Sequence, residues 1–372
     1  MKKAIQHLSQ QIQQAGLDSK VLRITGSGSK NFYANSQRTQ TLLGRSIEAL
    51  STASLVGDVI YEPTELVVTV PAATPLQQLT DLLHQSNQYL PFDPPFFGPN
   101  ATVGGMVASG FSGPARASVG SVRDYVLGVH LLNGKGEHLQ FGGQVMKNVA
   151  GYDLSRLLAG SFGQVGLITQ VSLKVLPLPV AKACLVFEYS QAHALSQLNH
   201  WAGLPLPIQA SCWVQDQGQN KLYVLLAGAQ AAVQSACKTM GGEVLDLSQV
   251  QSDWVALREQ TLGFFELENT ECLWRLSVPD TTGALAHDYP TLLEWGGALR
   301  WVKAPLSAHS QLQEMVGPLG GQVSLWKLSV AEAILQNPIV YLPRLSAVQH
   351  KIQTQLLQQL DPLGVFQTGR IL

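Results

Sequence analysis

The sequence predicts an α+β protein of two domains. Three observations carry this. At 372 residues the chain exceeds what a single hydrophobic core usually serves. Its first half sets glycine-rich turns between apolar, β-branched runs. Past residue 180 the glycines thin out, and strand-like runs alternate with helix-like ones, the pattern of a second, smaller α+β domain.

Composition narrows the function classes. Hydrophobic residues make up 45% and charged residues 13%, low in charge for a globular chain, which points to surface covered by partners. A net charge of -1 provides no basic field for nucleic acid. No run of eighteen apolar residues occurs, so no membrane-spanning helix is expected. The opening MKKAIQHLSQQIQQAG lacks the apolar core of a secretory signal. A cytoplasmic protein is expected, touching membranes at most peripherally through partners. Cys184, Cys212, Cys237 and Cys272 stand far apart with no C-x-x-C, and no H-x-x-x-H pair exists. Neither an iron–sulfur cluster, a zinc ribbon nor another metal site is expected in this chain.

The elements follow in order. The opening segment reads as an amphipathic helix ended by Gly16. VLRITGSGSKNFY (21–33) reads as a strand running into a glycine–serine turn with Lys30 behind it. Such a turn presents N–H groups and hydroxyls to a pyrophosphate. It is neither a Rossmann G-x-G-x-x-G, since Asn31 holds the third place, nor a Walker loop. YEPTELVVTV (61–70) reads as a strand. Thr74 is expected to cap a helix with Pro75 at its first position and Leu76, Leu79, Leu82 and Leu83 at helical spacing.

The stretch Pro91 to Gly128 organises the rest. Gly104, Gly105, Ala108, Ser109, Gly110, Ser112 and Gly113 crowd together with almost no charge before Arg116. Small residues at this density let another body approach the backbone closely. A cofactor with phosphates and a flat ring fits, and so does a loop that merely packs tightly. Asp124 to Leu132 reads as a strand, Asn133-Gly134 as a hairpin turn, and GEHLQFGG as the partner strand. In 145–177, a helix over Asp153 to Leu158 precedes Gly160, Gly163 and Gly166 and the strand LITQVSLKVLP. Beyond Pro177 and Pro179, CLVFEYS, SCWVQD, KLYVLLAG and LWRLSVP read as strands, and SQAHALSQLNHWAG and AQAAVQSACKTMGG as helices. WGGALRWVKAP reads as a turn and strand, and Leu345 to Leu360 as a final helix before DPLGVFQTGRIL.

The succession RITGSGSK, PTELVVTV, LPFDPP, ATVGGMVASG, GSVRDYVLG, KNVAGYDLSRLLAGSFGQVGLITQVSLKVLP and DPLGVFQTGR resembles the vanillyl-alcohol oxidase (PCMH-type) superfamily. More narrowly, the chain is similar to the FAD-binding E subunits of glycolate oxidases. The resemblance covers nearly the whole chain. It implies a PCMH-type FAD-binding fold of two α/β subdomains over 1–179, and a smaller α+β cap domain with antiparallel sheet over 180–340. A helix and tail over 341–372 would return to the FAD domain.

The resemblance also assigns roles. Arg23, Thr25, Gly26, Ser27, Gly28, Ser29 and Lys30 would hold the pyrophosphate. Ala101, Thr102, Val103, Gly104 and Gly105, with Ser109, Gly110 and Ser112, would line pyrophosphate and flavin. Asp124, Val165, Gly166 and Ile168 would flank the adenosine and ribitol side, and Arg370 would return to the flavin domain. The family's usual tail is N-P-G-R; here it is Gln367-Thr368-Gly369-Arg370. Neither loop carries the His or Cys that tethers flavin in covalent relatives, so dissociable FAD is expected.

The activity implied is FAD-dependent oxidation of glycolate to glyoxylate, and of D-lactate, by a complex with a sister FAD-binding subunit and an iron–sulfur subunit. No catalytic residue is assigned. Arg116, Arg123, Lys147 and Tyr152 read as structural or phosphate-facing, and Asp153 and Arg156 as a helical pair. Related dehydrogenases hold a metal with paired cap histidines, whereas His193, His200, His287 and His309 stand apart here. The alternative follows: a flavin relay or structural subunit, with substrate oxidised on the sister subunit.

Overall fold

A computed structural model describes residues 1–34, 44–143, 154–216, 218–329, 342–343 and 345–370. The chain forms two compact units: Met1–Ser112 with Ser121–Leu178 and Leu345–Leu372, and Gly113–Gly120 with Pro179–Arg344. The short segment Gly113–Gly120 belongs to the second unit, a return that sequence order alone does not show.

The first part of the chain runs α1 (Lys2–Leu17), β1 (Val21–Thr25), β2 (Ile47–Ser51), β3 (Ile60–Glu62), β4 (Val67–Pro71), α2 (Leu76–Gln85), β5 (Gln88–Tyr89) and α3 (Val103–Ser109). After α4 (Arg116–Val119) come α5 (Val122–Tyr125), β6 (Val126–Leu132), β7 (His138–Gly142), α6 (Leu154–Leu157), β8 (Leu167–Lys174) and β9 (Leu176–Pro177). The main sheet of this unit has the order β3-β4-β8-β6-β7, antiparallel throughout. Beside it β1 and β2 pair in parallel. Apolar periodicity decides what is buried: α1 buries Leu8, Ile12 and Ala15, and α2 buries Leu76, Leu79 and Leu83, one stripe each.

Local chemistry corrects several expectations. YEPTELVVTV is not one strand: the turn Pro63–Glu65 interrupts it, and Leu66 at φ 56 resets the direction. Thr74 caps nothing; Pro75 is the N-cap of α2. ATVGGMVASG is not a loop: Thr102 Oγ1 accepts from the Gly105 N–H and starts α3, and Gly110 at φ 66 ends it. Asp124 is not in a strand. Ser121 and Asp124 form a capping box around the single turn α5, and the strand begins at Val126. The expected helix over Asp153 to Leu158 is described only as α6.

The second part runs β10 (Ala181–Glu188), α7 (Gln191–Ala202), β11 (Ile208–Asp216), β12 (Gln219–Gly228), α8 (Gln230–Met240), β13 (Glu243–Leu245) and α9 (Leu247–Glu259). Then follow β14 (Cys272–Ser277), β15 (Thr291–Glu294), β16 (Leu299–Ala304), α10 (His309–Val316) and β17 (Gln322–Leu328). Its strands form one sheet of order β13-β10-β12-β11-β15-β16-β14-β17. Trp213, Leu222, Val224 and Leu293 pack with α7 and α8, and Trp274, Leu276 and Val302 pack with α10. Their strand neighbours Cys212, Tyr223, Leu292 and Lys303 therefore point to the opposite face. The last helix, α11 (Ala347–Leu360), belongs to the first unit. No helix among the described residues is long and apolar enough to cross a membrane.

Candidate functional site

The first unit holds a cleft of about 290 Å³. One wall is the turn after β1. Gly26, Ser27, Gly28 and Ser29 line the cleft, and among the described residues their four N–H groups find no protein acceptor. Consecutive N–H groups facing a cleft form an anion-binding concavity. Gly28 sits at φ 78, where a side chain would be strained. Lys30 behind the turn is buried, and its ammonium donates to Ser29 Oγ and to the Phe96 carbonyl, both at 3.1 Å.

The facing wall is α3. Gly104 packs so closely on Ala72 that an added Cβ would lie 2.8 Å from the Ala72 Cβ and 2.9 Å from its carbonyl oxygen. Gly105 presents bare backbone to the cleft, with Thr102 Oγ1 3.1 Å from where its Cβ would stand. The loop Gly160–Gly166 closes the end. Gly163 at φ 79 lies against Ile24, and Gly166 at φ 140 lies against the Leu132 carbonyl. Phe162, itself at φ 49, lines the cleft and stacks on Tyr33 with centroids 5.5 Å apart.

The tail supplies the cation. Val365 and Phe366 are buried in the core of the first unit. The Asp361 carboxylate accepts their two N–H groups, at 2.7 and 2.9 Å, and the Leu22 N–H donates to the Val365 carbonyl. Burial pushes the Asp361 carboxyl up, although both N–H groups oppose this. So anchored, the tail delivers Arg370 to the cleft. Its Nη2 donates to the Lys30 and Tyr33 carbonyls at 2.7 and 3.3 Å, and its guanidinium lies 4.8 Å from the Phe162 ring centre. Replacing N-P-G by Gln367-Thr368-Gly369 thus leaves the arginine at the cleft.

Electrostatics gives the cleft its character. Arg370 has no acidic partner among the described residues, and its buried Nε has no hydrogen-bond partner. Burial first, and the neighbouring Arg23 second, pull its pKa down to about 10. Burial also lowers Arg23. Two crowded guanidinium groups, an orphaned donor and four open N–H groups form a site short of negative charge. A dinucleotide pyrophosphate supplies two negative charges and the missing acceptors. The residues present therefore fit the expected FAD.

The expected residues divide. Thr25 through Lys30, Thr102, Gly104, Gly105, Ser109, Gly166, Ile168 and Arg370 line the cleft. Arg23 stands beside it through its coupling to Arg370. Ala101, Val103 and Val165 point into the core. Gly110 serves packing: an added Cβ would meet the Gly160 N–H nitrogen at 2.7 Å. Ser112 Oγ accepts the Val122 N–H. Asp124 is spent on its capping box; burial raises its pKa, but the Ser121 N–H and hydroxyl outweigh this and hold it low. Sequence reasoning missed Asn31, Thr52, Ala72 and Phe162 and gave no role to Ala108 and Gly163, which it had marked only as small residues. Phe162 lies between the Gly160 and Gly163 that it flagged; Thr52 and Ala72 carry no local signal. Lys147, Tyr152 and Asp153 lie outside the described residues.

Comparison with known proteins follows this geometry. Residues 3–142 match the model of the FAD binding domain family. The chain is 41% identical over 366 residues to glycolate oxidase subunit GlcE of Escherichia coli, covering 98% of this chain and 97% of that protein. It is 36% identical over 97 residues to glycolate oxidase subunit GlcD of Bacillus subtilis, which is 26% of this chain and 21% of that one. Among solved structures, alkyldihydroxyacetonephosphate synthase superposes with a TM-score of 0.66 at 13% identity, covering 96% of this chain and 73% of that one. That last likeness bears on the fold alone.

Proposed function

Because the chain belongs to the FAD-dependent oxidoreductase family of glycolate oxidase subunit GlcE, we propose that it is the FAD-binding subunit of a glycolate oxidase complex that converts glycolate to glyoxylate and also accepts D-lactate. FAD is the cofactor of this family. The observation that carries the reading to this site is the cleft of unpaired donors facing an arginine with an orphaned Nε.

The geometry of the cleft supports the following roles. The N–H groups of Gly26 to Ser29 hold the pyrophosphate, and Arg370 with Arg23 neutralises it. Gly104 and Gly105 keep the opposite wall flush, so that a large planar cofactor can lie along backbone. Tail anchoring through Asp361 holds Arg370 in place. Bound here, FAD supplies the two-electron acceptor that a 2-hydroxy acid requires. No covalent tether is involved, and the cofactor dissociates. A sister FAD-binding subunit and an iron–sulfur subunit complete the complex, and any membrane contact runs through them.

A specific observation favours a second reading, in which this subunit relays electrons while its sister oxidises the substrate. Lys30 and Arg370 are the only titratable groups among the described residues lining the cleft. Neither is the carboxylate or imidazole that usually takes a hydroxyl proton. Anaerobic addition of glycolate, then D-lactate, to the purified chain separates the readings. Bleaching of the flavin band in the isolated subunit supports turnover on this chain; bleaching only with the partner subunits supports the relay. A flavin that stays oxidised in the assembled complex overturns both.

A further inference from the structure

We infer that the second unit carries a ligand site of its own, a cavity for a planar aromatic monoanion. The cavity has a volume of about 680 Å³, more than twice the 290 Å³ of the nucleotide cleft. It lies on the sheet face opposite α7, α8 and α10. The alternation that sends Trp213 and Leu293 into the helical core leaves Cys212, Val214 and Leu292 as its floor. Its roof is one stripe of α9: Val250, Trp254 and Leu257, spaced four and three residues apart.

This cleft is partly open to solvent and has room for a sizeable ligand. It has the volume of about twenty waters at ~30 Å³ each. Buried water needs two to four polar partners apiece. Floor and roof are mainly apolar, and the polar side chains Gln215, Tyr223 and Thr291 of the lining come from the strands around them. The Cys212 thiol adds little polarity, since burial first and Glu294 second push its pKa well up and keep it neutral. A flat apolar ring between Trp254 and the strand floor satisfies these walls better than water does. A two-carbon hydroxy acid would leave most of the space to water, so the site differs from any glycolate site.

The charge of the ligand follows from one end of the cavity. Lys303 reaches it with a side chain 16% exposed. Its ammonium donates to the Glu266 carbonyl at 3.2 Å and lies 5.7 Å from the centre of the Phe264 ring. Glu271 stands 3.6 Å away, beyond hydrogen-bond length. With three N–H groups and one of them committed, Lys303 retains donors for an anion. Asp253 sits exposed at the rim, where its charge stays in water. An aromatic carboxylate with its ring under Trp254 and its carboxylate on Lys303 meets both ends of the site.

Titration calorimetry of 2-naphthoate into the FAD-loaded full-length chain tests this. One saturable site is expected. Lys303→Met should weaken it at least tenfold, while Lys303→Arg stays within about threefold. Val250→Trp fills the cavity from the roof and should abolish binding, with flavin content and far-UV circular dichroism unchanged. Should Val250→Trp misfold, Val214→Trp fills the cavity from the floor. Absence of saturable binding overturns the inference. So does binding that persists in the correctly folded filled variant, or that ignores Lys303→Met.

Discussion

The two units build their cavities from opposite materials. In the first, the cleft walls are backbone: Gly26 to Ser29 on one side, Gly104 and Gly105 on the other. In the second, the walls are large side chains, Trp254, Phe264, Leu257 and Tyr223, carried on a helix, a turn and strands. Cations are handled differently too. Arg370 is half-buried, with its buried Nε unsatisfied. Arg300 in the second unit is fully buried and committed: its guanidinium donates to the Gly297, Gly283 and Thr282 carbonyls. Burial lowers both to about 10, yet every guanidinium nitrogen of Arg300 has a partner while the buried Nε of Arg370 has none. A buried arginine is therefore a pointer to ligand binding when its hydrogen bonds are incomplete, and a pointer to architecture when they are not.

That contrast makes its own tests. Arg300→Met should have the largest effect. It strands the buried Gly297 carbonyl at about 1–3 kcal/mol and removes charge-assisted bonds to the part-buried Thr282 and Gly283 carbonyls, so chemical denaturation should show the second unit losing about 3–5 kcal/mol, while flavin content in the native protein stays whole. Gly26→Val should do the reverse. Its Cβ meets nothing nearer than 3.4 Å, so the fold should hold, but the branched side chain fills the cradle. Flavin-fluorescence titration should show FAD affinity down at least a hundredfold, about 2.7 kcal/mol. Unchanged affinity would remove the turn after β1 from the site.

Arg370→Met should come next, weakening FAD about tenfold, as loss of one charge-assisted contact does. Because one Nη2 alone bonds the part-buried Lys30 and Tyr33 carbonyls and there is no acidic partner among the described residues, the thermal midpoint of the flavin-free protein should fall only slightly, far less than in Arg300→Met. A large drop in that midpoint would make Arg370 structural, like Arg300.

The smallest effect concerns pH. His130 and His138 in the first unit lie with ring centres 5.5 Å apart. Burial lowers both below 6.5, and for His138 the His130 charge adds to it. Bases with depressed folded pKa values bind protons more readily when unfolded, so their contribution is whole above pH 6.5 and declines as pH falls below it. The first unit should lose stability between pH 6.5 and 5, and His130→Gln should flatten that slope in thermal melts. An equal slope in the variant would assign the loss to other groups.

How much the sequence discloses follows the same division. Glycine marks backbone sites, because Gly28, Gly104 and Gly166 hold positions where a Cβ is strained or has no room. The cleft was thus legible in its turn and its glycine-rich segments. Less legible was the kind of element: the small residues that suggested a loop at ATVGGMVASG fold as α3, because Thr102 supplies a cap and tight packing on Ala72 favours glycine inside a helix. Thr52 and Ala72 reach the cleft only through tertiary packing. In the second unit Cys212, Trp254, Phe264 and Lys303 are scattered over some ninety residues, each unremarkable where it stands, and only sheet alternation and the placement of α9 bring them together. Side-chain cavities leave no local trace of that kind.

The most direct test of the account is the fate of the chromophore. The native protein, purified gently and precipitated with acid, should release a yellow supernatant holding about one FAD per chain. The acid-stripped, refolded protein should take FAD up again, while the Gly26→Val variant should not. A colourless native protein that ignores added FAD, or a flavin that stays with the precipitate, would contradict a dissociable dinucleotide held by the backbone of the first unit.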